Sequence, residues 1–198
     1  MSASRGTIVS IFQDVTESGH DVSPSTLNQY LEALSRLFVT DDLPAWNPNL
    51  RSKTAIRTSA TRHFADPSIA IAALGATPAE LLDDLSTFGL MFETLCIRDL
   101  RAYAQALDGE VMHYRDRSGL EADAVVRLRN GKYGLVEIKL GGSALIEEGA
   151  KSLKALAQKI DIKKMRDPSF LMVLTATGGF SYTRDDGVLV VPVRTLGV

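Results

Sequence analysis

Residues 121–140 read EADAVVRLRNGKYGLVEIKL, two strand-like runs, EADAVVRL and YGLVEIKL, meeting around Asn130 and Gly131. The simplest hairpin is a two-residue turn that sets Arg129 opposite Lys132. In that register Ala124 faces Glu137 and Val126 faces Leu135, which places Glu137 among the small apolar residues of the first strand. A three-residue loop with glycine at its left-handed position, forming a G1 bulge, shifts the pairing by one. Ala122, Ala124, Val126 and Leu128 then share an apolar face with Val136, Ile138 and Leu140. The same shift brings Asp123 to the other face with Glu137 and Lys139, opposite one of them or diagonal to it. Apolar patterning alone selects this register, and the polar groups converge as a consequence.

A hairpin face carrying Glu121, Asp123, Glu137 and Lys139 has two readings. Alternating charges usually mark a solvated face. Here, however, Leu135 and Leu140 flank the charges with strongly apolar residues, as expected of an interior strand, and helices before and after the hairpin are placed to cover it. Chemistry also explains why two carboxylates and a lysine would be wanted together. Phosphodiester hydrolysis needs a cation that polarises the phosphoryl oxygen and lowers the pKa of an attacking water. Asp123 and Glu137 supply hard oxygen ligands suited to Mg²⁺ or Mn²⁺. Lys139, two residues along on the same face, would orient the water or offset developing charge.

Around the hairpin the pattern is α/β. From Asp83 to Leu107, Leu85, Phe88, Phe92, Leu95, Cys96, Leu100 and Tyr103 recur at helical spacing, with Gly109 just beyond. VMHYR precedes the hairpin, and a helix EEGAKSLKALAQKI, a strand SFLMVLTATG and a closing GVLVVPVR follow it. Helix, three strands, helix, strand is a meander with a crossover after it. Pro67, Gly75 and Pro78 break the preceding text into short apolar pieces, a boundary or a small helical connector.

The first segment predicts a helix capped by Ser23 with Pro24 in its first turn. Leu27, Tyr30, Leu31, Leu34, Leu37 and Phe38 form one expected buried stripe, packed by an earlier helix through Ile8, Ile11, Phe12 and Val15. DDLPAWNPNLR reads as an irregular hairpin or wing, completing a winged-helix order. Asn28, Gln29 and Arg36 would be the exposed DNA-reading positions. Against that, residues Met1–Ala60 carry five basic and six acidic side chains, a poor phosphate footprint, and a packing module is the plainer reading. The expected division is 1–66 and 67–198.

The 198-residue chain has a net charge of −2, so any nucleic-acid contact must come from a local patch. Lys151, Lys154, Lys159, Lys163, Lys164 and Arg166 form the candidate. The lone Cys96 rules out an internal disulfide and a Cys/His zinc cluster. With no membrane-spanning run or leader-like start, the chain reads as soluble and cytoplasmic. MSASRG at the start suggests a frayed terminus or a piece of a longer protein, the second being the preferred reading. His20, His63 and His113 have no nucleophile motif near them, and LGGSALIEEG and TGGF lack a phosphate-loop lysine.

On Asp123, Glu137, Ile138 and Lys139, set in this order of elements, the sequence resembles the PD-(D/E)XK nuclease superfamily. The resemblance implies a restriction-endonuclease-like three-layer domain, a mixed sheet flanked by helices. It implies Asp123, Glu137 and Ile138 as metal-holding positions, Lys139 as the catalytic lysine, Glu93 of FGLMFETL as the acid of the preceding helix, and Lys154 and Gln158 as auxiliary residues. LNQYLEALSRLFVTDDLPAW, RHFADPSIA, FGLMFETLCIRDL, HYRDRSGLEADAVV and GLVEIKLG further resemble the C-terminal part of bacterial and archaeal AAA+ type ATPases, which carry a winged-helix segment and a nuclease-like domain of uncharacterised function. No G-x-x-x-x-G-K-[ST] occurs, so this chain has no ATP site of that kind and a P-loop ATPase would be its partner. DNA is the implied substrate and Mg²⁺ or Mn²⁺ the implied cofactor, with self-association into a homo-oligomer left open. Two alternatives stand beside the nuclease: a catalytically inactive interaction module coupled to the ATPase, and a winged-helix regulator that uses the second half to dimerise.

Overall fold

The computed structural model describes residues 8–48, 60–116, 118–160 and 165–197. Two helices open it, α1 (Ile8–Glu17) and α2 (Pro24–Arg36). α2 starts as the sequence predicts: Ser23 Oγ accepts from the Thr26 amide at 3.1 Å, and Pro24 sits in the first turn, where no N–H is needed. The expected buried stripe does not form. Leu27 is buried and Leu31 half-buried, but Tyr30, Leu34, Leu37 and Phe38 are exposed. The amphipathic spacing is real, but α2 packs on α1 and the first strand, which are too small to cover it.

β1 (Thr40–Leu43) and β2 (Thr61–Phe64) pair antiparallel, Thr40 opposite Phe64. The short helices α3 (Pro67–Leu74) and α4 (Pro78–Asp83) each start with proline after a capping side chain. Asp66 accepts from the Ser68 amide, and Thr77 forms a capping box with Glu80. α5 (Leu85–Ala106) is capped by Asp84, which accepts from the Ser86 and Thr87 amides.

The sheet then follows: β3 (Gly109–Arg115), β4 (Glu121–Leu128), β5 (Tyr133–Lys139), helix α6 (Ser143–Lys159), β6 (Phe170–Thr175), β7 (Tyr182–Thr183) and β8 (Leu189–Pro192). Strand order is β3-β4-β5-β6-β8-β7, with an antiparallel meander at one side and β5, β6 and β8 parallel. The expected order of helix, three strands, helix and strand is therefore present, in a six-stranded mixed sheet. Phe92, Cys96, Ile97 and Leu100 of α5 pack on one face with Ala124, Val136 and Ile138. Ala150, Leu153 and Leu156 of α6 pack on the other with Val125, Leu135 and Val173.

The β4–β5 hairpin takes the register that its apolar pattern selects. Ala124 lies opposite Val136 and Arg127 opposite Tyr133. The Leu128 amide donates to the Lys132 carbonyl at 2.8 Å, the Gly131 amide donates to the Leu128 carbonyl at 3.0 Å, and Gly131 has φ 82°. One expectation needs correction. Met112 faces Val125 but Tyr114 faces Ala122, so Asp123 and Ala124 together oppose His113 in a bulge. The extra residue reverses the alternation beyond it. Ala122 therefore packs with Val125 and Leu135 on the α6 side and does not share the face of Ala124.

The proline-containing stretch after β1 covers the outer edge of β3. The His113 amide donates to Pro44 O at 2.9 Å, and the Trp46 amide donates to His113 O at 2.6 Å. Leu43 enters the α5-side core, while Trp46 enters the α6-side core, its ring centroid 5.0 Å from that of Tyr133 and 6.0 Å from that of Tyr114. Asn49, Leu50 and Arg51 of the expected wing lie outside the described residues. Contacts also run across the expected 66/67 boundary: Arg98 of α5 pairs with Asp66, and His63 Nδ1 lies 3.4 Å from Thr94 Oγ1.

Candidate metal centre

The backbone pairing of β4 with β5 runs from Arg127–Tyr133 to Ala124–Val136. One residue further, Asp123 Oδ2 accepts from the Ile138 amide at 2.8 Å. A side chain thus takes the place of a ladder bond, and a carboxylate is held at the fork between two central strands. Glu137 stands on β5 at the same level. Asp123 is 8% exposed and Glu137 2%, so this part of the hairpin face is covered and not solvated.

α6 supplies the cover. A Cβ at Gly149 would lie 3.4 Å from Glu137 Cβ and 3.3 Å from Val173 Cγ2, so the missing side chain lets the helix sit close over β5 without pressing on Val173. One turn later Ser152 Oγ lies 3.1 Å from Glu137 Oε1 and 3.3 Å from the Glu121 carbonyl. Lys139 Nζ lies 3.4 Å from Glu137 Oε2 and 3.4 Å from Oε1 of Glu148, an exposed residue of α6.

The electrostatics follow from this burial. Loss of water, then the charge of Asp123, pushes the Glu137 carboxyl up to about 9, against the pull of Lys139 and Ser152. Burial also opposes the Lys139 ammonium, but Glu137, Asp123 and Glu148 outweigh it and hold Lys139 above its ordinary value. Lys139 is therefore a cation at neutral pH, suited to charge neutralisation and not to proton abstraction. With Glu137 held protonated at neutral pH, Lys139 balances Asp123; ionising Glu137 as a ligand adds a second buried negative charge, which a divalent cation would offset. Among the described residues no group of three His, Cys, Asp or Glu side chains is arranged to hold a metal ion. Two carboxylates with the remaining positions filled by water or backbone oxygen is a donor set that suits Mg²⁺, which keeps several waters.

The other expected residues are distributed unevenly. Ile138 points its side chain into the α5-side core and gives its amide to Asp123, so a carbonyl oxygen is what it can offer a cation. Glu93 is half-buried on α5, three residues before Cys96. The Cys96 thiol is pushed far up by burial first and then by the charges of Asp99, Glu93 and Asp123. The lysines of α6 are each engaged: Lys151 with Glu147 at 3.6 Å, Lys154 with Asp186 at 3.2 Å, and Lys159 with Asp116 at 2.6 Å. Gln158 and Arg166 are exposed. Lys163 and Lys164 lie outside the described residues.

The α6 residues that do meet the acid pair, Glu148, Gly149 and Ser152, were not singled out from the sequence. A signal existed: Gly149-Ala150 inside a helix marks a close approach, and Glu148 and Ser152 lie one turn apart beside it.

Fold and site together define a mixed α/β protein whose sheet holds a buried acid pair and a lysine beneath a helix. Residues 88–196 match a domain of unknown function (DUF4143), and since that is more than half of its length the chain belongs to this family. Residues 9–80 match a second domain of unknown function (DUF8612). No curated protein and no solved structure matches the chain. Among the described residues no helix is long and apolar enough to cross a membrane.

Proposed function

We propose that the second half is a PD-(D/E)XK nuclease-like domain that acts on DNA with Mg²⁺ or Mn²⁺ and works beside a P-loop ATPase, as the sequence resemblance implies. The observation that carries this reading is the burial of Asp123 and Glu137 on adjacent strands, within electrostatic reach of each other, with the Lys139 ammonium beside Glu137. Asp123, Glu137 and the Ile138 carbonyl would hold the cation. When bound, it supplies a Lewis acid for the phosphoryl oxygen and a more acidic water. The chain's own contributions are separate. Asp123 is oriented by the Ile138 amide, Glu137 by Ser152 and Lys139, and the fixed ammonium of Lys139 offsets negative charge that develops on the phosphate. Glu93, half-buried on α5, would assist as the resemblance implies.

The test is cleavage of plasmid and single-stranded DNA with Mg²⁺ or Mn²⁺ at low salt by the native chain, Asp123→Ala and Lys139→Ala. Metal-dependent cleavage lost in both variants supports the reading. Cleavage that survives in Asp123→Ala sinks it.

A second reading, a catalytically inactive nuclease-fold module that couples the ATPase to a partner, is favoured by one feature. Each described lysine of α6 is already paired with a carboxylate, so the helix offers a nearly neutralised surface to a phosphate backbone. Partner recruitment unchanged in Asp123→Ala, with no cleavage by the native chain, would select it. The winged-helix regulator is less well supported: Trp46, in the middle of the expected wing, is buried in the second half, and Arg36 is tied to Glu32 at 2.6 Å.

A further inference from the structure

We infer that Ser152 is a positioning residue that sets the gap between the Asp123 and Glu137 carboxylates, and with it the affinity of the site for a small divalent cation. This rests on the metal-centre reading above. β4 and β5 part just beyond the Ala124–Val136 pair, and the carboxylates sit at that fork. Two side chains span it. Asp123 reaches across from β4 to the Ile138 amide of β5. Ser152, from the helix above, contacts both arms, lying 3.3 Å from the Glu121 carbonyl on β4 and 3.1 Å from Glu137 Oε1 on β5.

The consequence for Glu137 is a carboxylate held at both oxygens, Oε1 by Ser152 and Oε2 by Lys139 at 3.4 Å. A buried, flexible acid would otherwise have several rotamers to lose on binding a cation. The helix keeps its height because Gly149, one turn earlier, lies against Glu137 and Val173. The role needs a hydroxyl at position 152 and little else: alanine there favours the helix, so its loss acts on the site and not on the fold. Mg²⁺ and Mn²⁺ are sensitive to such placement, Mg²⁺ above all, since it demands near-ideal geometry at short metal–oxygen distances.

The experiment is titration of the full chain with Mn²⁺ alone by calorimetry at one fixed pH and low salt, on the native protein, Ser152→Ala, Ser152→Thr and Asp123→Ala, with circular dichroism to confirm that each is folded. Loss of a supporting contact to a metal ligand weakens affinity about tenfold or more, so Ser152→Ala should bind Mn²⁺ at least about tenfold more weakly, while Ser152→Thr, which keeps the hydroxyl, stays within about threefold of native. Native-like affinity in Ser152→Ala, beside loss of binding in Asp123→Ala, would overturn this inference and leave the metal centre standing. Weak binding in Ser152→Thr equal to that of Ser152→Ala would also overturn it, by removing the hydroxyl from the explanation. No Mn²⁺ binding by the native chain would overturn both.

Discussion

Glu137 is a carboxyl that folding makes a weaker acid, and this has a consequence for stability in the absence of metal. Its folded value, about 9, lies above its ordinary 4.5, because burial and Asp123 both oppose the charged form. The unfolded chain releases this proton first as pH rises. The contribution is therefore fully present below pH 4.5 and is lost as pH climbs toward 9. Glu137→Gln keeps the shape and stays neutral. In chelator it should melt higher than the native chain near pH 9, by an amount on the order of several degrees, and the gap should close near pH 4.5. A pH-independent difference would show that Glu137 is not the group responsible. Asp123, one of the two bulge residues, is legible from the sequence as a polar position; that it caps the Ile138 amide is not, since that bond exists only where the strands part.

Among the elements, the hairpin loop and the β3–β4 loop each rest on one residue. Gly131 has φ 82° and open space around its Cβ position, so Gly131→Ala meets no clash and its cost is backbone strain alone, about 1 kcal/mol in urea denaturation. Deleting Gly131 is more severe. The two-residue loop Arg129–Asn130 that remains still sets Leu128 opposite Lys132, so the register survives, but it lacks the left-handed glycine that fits the turn to the strand twist, and the deletion should cost more in urea denaturation than Gly131→Ala. In the β3–β4 loop, Asp116 accepts from the Ser118 amide at 2.8 Å, the Leu120 amide at 3.2 Å and Lys159 at the end of α6 at 2.6 Å. Burial raises its pKa, but these bonds prevail and hold it at about 2. The stabilisation is present above the ordinary 3.8 and fades as pH falls through about 2. Asp116→Ala should cost about 1–2 kcal/mol at neutral pH, with the difference from native shrinking in acid.

Across the whole molecule, the two halves share their cores. Leu43 and Trp46 leave β1 on opposite sides of the β3 edge and enter the α5-side and α6-side clusters respectively. They also cover an edge that would otherwise present unpaired backbone groups. Truncating a buried tryptophan leaves a large cavity, so Trp46→Ala should lose about 3–5 kcal/mol by denaturant unfolding. A chain beginning at residue 67 loses both plugs and should melt well below the full protein; an unchanged melting temperature would show that the sheet is self-sufficient. The exposed Tyr30, Leu34, Leu37 and Phe38 belong to this scale too, because spacing along a helix announces an apolar face without saying what covers it.

The sequence by itself determined what depends on local rules. Caps at Ser23 and Asp84, the alternation of the hairpin, the odd loop at Gly131 and the order α5-β3-β4-β5-α6-β6 all follow from propensities and periods that neighbours in the chain set. Tertiary structure decided the rest. It placed Ser152 and Glu148 of α6 over Glu137 and Lys139 of β5, turned Ala122 to the other face through the bulge, paired Lys154 and Lys159 of α6 with Asp186 and Asp116, and sent Trp46 into a core that its own segment does not form. Each of these depends on how far apart two packed elements come to rest, a quantity that side-chain volumes such as the missing one at Gly149 settle only after the layers have met.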